Sequence, residues 1–91
     1  MASNYVTEAG DCTNLSASAL VKTGEGDLLG VFCASSTSGT LKLWDNTSAA
    51  GKIIANTFTL AAGTFTPIPV HFQTGLYATI ANTADITVMW K

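Results

Sequence analysis

Clusters of turn-forming residues interrupt this chain about every ten residues, and that spacing limits what it can fold into. "TGEGD", "STSGT", "DNTSAAGK", "AAGT", "QTG" and "NTAD" follow one another from Thr23 to Asp85. The runs between them are short and rich in β-branched and aromatic residues. "KIIANTFTL" places Ile54, Asn56, Phe58 and Leu60 on one face. "TGLYATIA" groups Leu76, Ala78 and Ile80, and "DITVMWK" groups Ile86, Val88 and Trp90. "DLLGVFCASS" is an apolar run of the kind that forms a buried strand. "NLSASALVKT" fits a strand through Leu15, Ala17, Ala19 and Val21, although Asn14 also suits a helix cap. The pattern predicts an all-β, single-domain antiparallel β-sandwich or barrel of about eight short strands. Residues 1–11 are read as a polar tail ordered on contact, and residues 12–91 as the domain.

"TFTPIPVHF" is the one run with a fixed place in a sheet. Pro67 and Pro69 alternate, so both missing N–H groups fall on one side, which restricts the segment to an edge strand or extended arm. Proline there also blocks edge-to-edge association. Ile68, Val70 and Phe72 are left to pack on the opposite face.

The pair Trp44-Asp45 resembles the signature of a propeller blade, but size excludes that reading. A blade takes about 40–45 residues and a closed propeller at least about four blades, whereas the chain has 91 residues. Trp44-Asp45 is more simply the end of a strand that places Leu41 and Leu43 on one face and Lys42 and Trp44 on the other.

Charge narrows the function. Only 11% of residues are charged, there is no arginine, and the net charge is −2. An ordinary domain devotes about a quarter of its residues to charge. Four scattered lysines form no stripe for phosphates, which argues against nucleic acid. No apolar run approaches the roughly 18 residues of a membrane span. "MASNYVTEAGDC" has neither a basic region nor an apolar core, so no signal peptide is expected and the chain is read as made in a cytosol. Cys12, in a polar loop, and Cys33, in an apolar run, are then expected to be free thiols. A surface so poor in charge is inexpensive to cover with a neighbouring protein.

No catalytic, cofactor or metal constellation is apparent. His71 is the only histidine, and it stands in the proline strand with no Gly-x-Ser-x-Gly elbow anywhere. It is read as a polar strand residue or a pH-sensitive contact. "EGD" at Glu25–Asp27 lacks the dense acids of a calcium loop and is read as a solvated turn. Trp44, Tyr77 and Trp90 suit a sandwich core, an oligomer interface or a sugar-binding groove.

Five stretches in order, "GDLLGVF", "WDNT", "GKII", "PIPVHF" and "TGLYATI", resemble small proteins encoded in the structural modules of tailed bacteriophages. The likeness runs from about Thr23 to Trp90. It implies a jelly-roll-like sandwich and a virion protein made in the bacterial host. The implied role is a capsid decoration, or cement, protein. Such a protein binds the expanded lattice of the major capsid protein as a homotrimer. The resemblance carries over no catalytic residue and no cofactor. Candidate interface residues are Asn4, Tyr5 and Val6 in the tail, with Trp44, Pro67, Pro69, His71, Tyr77 and Trp90 in the domain. The alternative is a head-fibre or tail-associated adhesion module that binds host-surface carbohydrate. An enzyme built on His71 ranks last.

Overall fold

A computed structural model of the chain describes residues 10–91, which form one antiparallel sheet of six strands without a helix. The strands are β1 (Asp11–Leu15), β2 (Ala19–Thr23), β3 (Gly26–Asp45), β4 (Lys52–Thr59), β5 (Thr64–Phe72) and β6 (Gly75–Trp90). The expected tail contacts at Asn4, Tyr5 and Val6 lie outside the described residues.

About eight short strands were expected and six form: two of the predicted turns bend strands instead of ending them, and one predicted strand divides in two. β3 and β6 pair with each other from Leu28↔Trp90 to Trp44↔Tyr77, straight through "STSGT" and "NTAD". The register shifts between Thr37 and Thr40. Ser38 and Asn82 take left-handed φ values of 55° and 63° there. Asn82 Nδ2 donates to the Ser38 carbonyl at 2.7 Å, so the two bends face each other and the ribbon turns as one unit. Gly39 lies in the crease. A Cβ at that position would come within 2.8 Å of Ala84 Cβ and 2.9 Å of the Thr83 carbonyl oxygen.

The crease divides the ribbon into two limbs. In the first limb the strand order is β1-β6-β3-β5, built on Gly26–Cys33 of β3 and Ile86–Trp90 of β6. In the second it is β2-β6-β3-β4, built on Thr40–Asp45 and Gly75–Ala78. A straight β3 of 20 residues would span about 65 Å, yet the molecule's longest dimension is 43 Å. The strand therefore doubles back. Its last residue and the turn just before it meet at Thr74, whose carbonyl accepts from Gly24 N at 2.9 Å and whose N–H donates to Asp45 Oδ1 at 2.8 Å.

Inward positions of both limbs merge into one core. Leu28, Val31, Cys33, Ile86 and Val88 of the first limb join Leu41, Leu43, Leu76 and Ala78 of the second, with Phe72 fully buried. Leu60, just after β4, closes the crease, and its N–H donates to the Gly39 carbonyl. The expected faces of β6 hold as predicted. In β4 the expected face fails at Asn56, which is exposed. Two register shifts there put Ala55 opposite Leu43, so Ala55 takes the inward place.

The segment read as a single strand, "NLSASALVKT", is two strands separated by Ser16–Ser18, and Ala17 is exposed. Both run along the outer edge of β6, which bends at that level. Ser18 Oγ fills the gap, accepting from Ile80 N at 2.9 Å and donating to Ile80 O at 3.3 Å. Cys12 lies in β1 rather than in a loop, and Cys12 and Cys33 are both free thiols. β5 pairs with β3 alone and is the edge strand its prolines require. Val70, expected to pack, is 36% exposed, because a register shift in β3–β5 falls between Val70 and Pro67.

Candidate functional site

Three side-chain groups outside the apolar core have a defined geometry, and each uses residues that the sequence singles out. The first surrounds Asp45. This carboxylate is 6% exposed and accepts from three consecutive backbone N–H groups. Gln73 reaches both oxygens at 3.1 Å, Thr74 bonds Oδ1 at 2.8 Å and Gly75 approaches Oδ1 at 3.4 Å. Burial alone would raise its pKa; the bonds from Thr74, Gln73 and Gly75, with the charge of Lys52, outweigh it and hold the carboxyl below its ordinary 3.8. Asn46 closes the following loop through Nδ2 to the Ala50 carbonyl at 2.8 Å. "WDNT" and "TGLY" are thus one structural unit, which fixes the turn between β5 and β6.

The second group is a clamp on His71. Asp27 Oδ1 lies 2.7 Å from Nδ1, and Glu25 Oε2 lies 2.9 Å from Nε2. Asp27 and His71 are cross-strand partners at the outer end of β3 and β5. A ring facing a carboxylate at each nitrogen is satisfied only as the imidazolium. The bond to Asp27, then that to Glu25, raises the pKa above 6.5. The two acids flank opposite edges of the ring and cannot converge on one ion. Among the described residues no group of three or more acids, histidines or cysteines is arranged to hold a metal. Both nitrogens are occupied, so neither is placed against a nucleophile. Asp27, His71 and Lys91 also line a shallow open depression with Pro69 and Val70.

The clamp carries a pH prediction. Asp11, opposite Trp90, Lys22, above the Trp90 ring, and Lys91, its backbone paired with that of Asp27, are further charged groups at this end of the sheet. His71 binds its proton more tightly folded than unfolded. Its stabilisation is therefore complete below about pH 6.5 and disappears as pH rises through the folded value. We expect the His71 ring, followed by NMR, to titrate above the free-histidine value. His71→Gln should abolish the difference in thermal midpoint between pH 6 and pH 8.

The third group is a row on the outward face of the second limb. Leu20 of β2 pairs with Tyr77 of β6, Tyr77 with Trp44 of β3, and Trp44 with Ile53 of β4. Direct cross-strand partners share a face, and their chain neighbours Leu43, Asp45, Leu76 and Ala78 are buried, so this face points outward. Leu20 and Ile53 are each 42% exposed at the ends of the row, which spans about 14 Å across four strands. Trp44 is fixed in place. Its Nε1 donates to Thr79 Oγ1 at 3.0 Å, and the Lys42 ammonium lies 4.4 Å from its ring centroid.

The predicted interface residues therefore separate. Trp44 and Tyr77 are neighbours on the second limb. Trp90 is not with them: it is half-buried at the end of the first limb, opposite Leu28, with Nε1 3.3 Å from Thr13 Oγ1 and Lys22 above its ring. Pro67, Pro69 and His71 lie on the β5 edge of the first limb. Sequence reasoning missed Leu20 and Ile53, because only strand pairing aligns them with the aromatics. It also missed the pairing of Glu25 and Asp27 with His71. No family model, curated protein or solved structure matches this chain.

Proposed function

We propose that this chain is a capsid decoration protein of a tailed phage, binding the expanded lattice of the major capsid protein as a trimer. The observation that carries the reading is the outward row Leu20–Tyr77–Trp44–Ile53, an apolar face on a domain that has little charge to desolvate. The strand order supports it. Counting each half of β3 and β6 separately gives eight segments, paired in the orders 1-8-3-6 and 2-7-4-5. We read that order as a jelly-roll sandwich, an architecture common among capsid proteins. A trimer would engage the shell through three faces at once, and avidity makes three weak contacts a tight attachment. Binding only the expanded lattice stabilises that lattice by mass action.

Adjacent aromatics on a sheet face also favour the alternative, a carbohydrate-binding adhesion module. The row is aliphatic at both ends, Leu20 and Ile53, and the Trp44 N–H is already bonded to Thr79. Lys42 and threonines stand beside it, but an apolar row running across four strands suits a protein surface better than a single sugar ring. The test mixes purified protein with expanded, undecorated shells of the phage that carries it and counts bound copies after sedimentation. Saturable binding in multiples of three per lattice site is expected. Absence of binding, with a positive glycan screen, would transfer the function to adhesion.

A further inference from the structure

From the distribution of charge we infer which face docks and what it docks on: the second-limb row takes a protein surface that is apolar at its centre and edged by carboxylates. This rests on the decoration reading and names the chemistry of the partner. Among the described residues, the four exposed or half-exposed carboxylates, Asp11, Glu25, Asp27 and Asp85, lie on the first limb, in the turn that enters it or next to it at the crease. Lys22, Lys42 and Lys52 stand on strands of the second limb, whose one acid among the described residues, Asp45, is buried and bonded to backbone. With Lys91 the one lysine outside the second limb, the first limb is the richer in carboxylates and the second the richer in lysines among the described residues.

Among the described residues, the only charged side chain on the outward face of the second limb is Lys42. Register places Lys22 opposite Leu76 and Lys52 opposite Asp45, both inward positions. Lys42 stands opposite Thr79 beside the row, its ammonium over Trp44. Threonines complete the surround, with Thr23 opposite Gly75 and Thr40 opposite Thr59. A partner carboxylate meeting Lys42 would do so beside a desolvated aromatic, where charge pairing gains strength. Two copies meeting face to face through this row would instead bring two lysines together.

The row and the lysine are tested separately. The first probe is a random glutamate–tyrosine copolymer, acidic and aromatic, titrated against labelled protein while the two indole N–H signals are followed. The Trp44 signal should move and the Trp90 signal should stay. Lys42→Glu should weaken binding about tenfold, and raising salt from about 50 to about 500 mM should weaken it further. A lysine–tyrosine copolymer of equal effect, or movement of both indoles, overturns the proposal. The second probe is the expanded shell. Leu20→Asp with Ile53→Asp should lower shell affinity more than about tenfold, while Phe65→Ser, on the first limb, leaves it intact.

Equal decoration by the doubly substituted chain overturns this face and leaves the decoration reading standing. Copolymer binding at Trp44 without shell binding does the reverse. Self-association of the wild type that Leu20→Asp abolishes would assign the row to a second copy, against the proposal. Thermal melts of each variant guard against misfolding. If the doubly substituted chain does not fold, Lys42→Glu decides the shell experiment alone.

Discussion

Replacing Asp45 by alanine should destabilise the domain by about 3 kcal/mol, because three backbone N–H groups lose their common acceptor in a place water reaches poorly. For a chain of 91 residues that loss lowers the thermal midpoint by about 15 °C. Asp45→Asn keeps one acceptor oxygen but turns an NH₂ toward donors, and it should cost about half as much. Acid distinguishes the two proteins further. The native carboxyl releases its proton more readily than the unfolded one, so its contribution is complete above about pH 4 and is lost as pH falls through the folded pKa. The gap in stability between wild type and Asp45→Asn should therefore narrow as pH falls below about 4, which denaturant titrations at pH 7 and pH 3 will check. A constant difference at both pH values would show that the charge contributes nothing.

Gly30→Val should be about as damaging, at about 2–3 kcal/mol. Gly30 pairs outward with Met89 and Pro67, and the Phe65 ring occupies the space a side chain would need. A Cβ there would lie 2.6 Å from Phe65 Cζ and 2.7 Å from the Thr66 carbonyl oxygen. The aromatic ring covers a glycine on the neighbouring strand, a known way of supporting a bare position in a sheet. Combining Gly30→Ala with Phe65→Ala should cost less than the sum of the single changes, by about 1 kcal/mol. Because the Thr66 carbonyl belongs to the backbone, the rescue stays incomplete. Full additivity in a double-mutant cycle would mean that ring and glycine are independent.

Local pattern carried much of the architecture. Alternation identified the buried faces of β6 and of the second half of β3, and two prolines identified an edge strand. What local pattern could not separate was a turn from a bend. "STSGT" and "NTAD" contain the residues of a reversal, and Ser38 and Asn82 do take left-handed backbone. Whether such a stretch reverses the chain or creases a ribbon depends on what lies opposite. Here each bend lies opposite the other, more than forty residues away in sequence. A reading confined to ten-residue windows counts two strands where one passes through.

The candidate sites failed to appear in the sequence for the same reason. Trp44 and Tyr77 were singled out as residue types that interfaces favour. Leu20 and Ile53 gave no such signal, since an aliphatic residue in a strand ordinarily belongs to the core. Only the register of three strand pairs shows that the four share an outer face. Asp45 looked like the first residue of a turn, but its partners lie 28 to 30 positions further on. Glu25 and Asp27 looked solvated, yet both are bonded to a histidine more than forty residues away.

The dependence of three strands on β6 also sets the timing of folding. Among the described strands β1 and β2 pair with β6 alone, and β3 has no other partner on that side. While the ribosome is still making Gly75–Trp90, β1 and β2 wait unpaired, and β3 offers an edge of twenty residues. Folding can then finish only after β6 has emerged, and the sheet closes by joining segments far apart in sequence, which is slow. In that interval the nascent chain carries a long open β-edge, the kind of surface that recruits chaperones or aggregates when they are scarce. Yield in a heterologous host should therefore depend more on temperature and expression rate than on the stability of the finished domain.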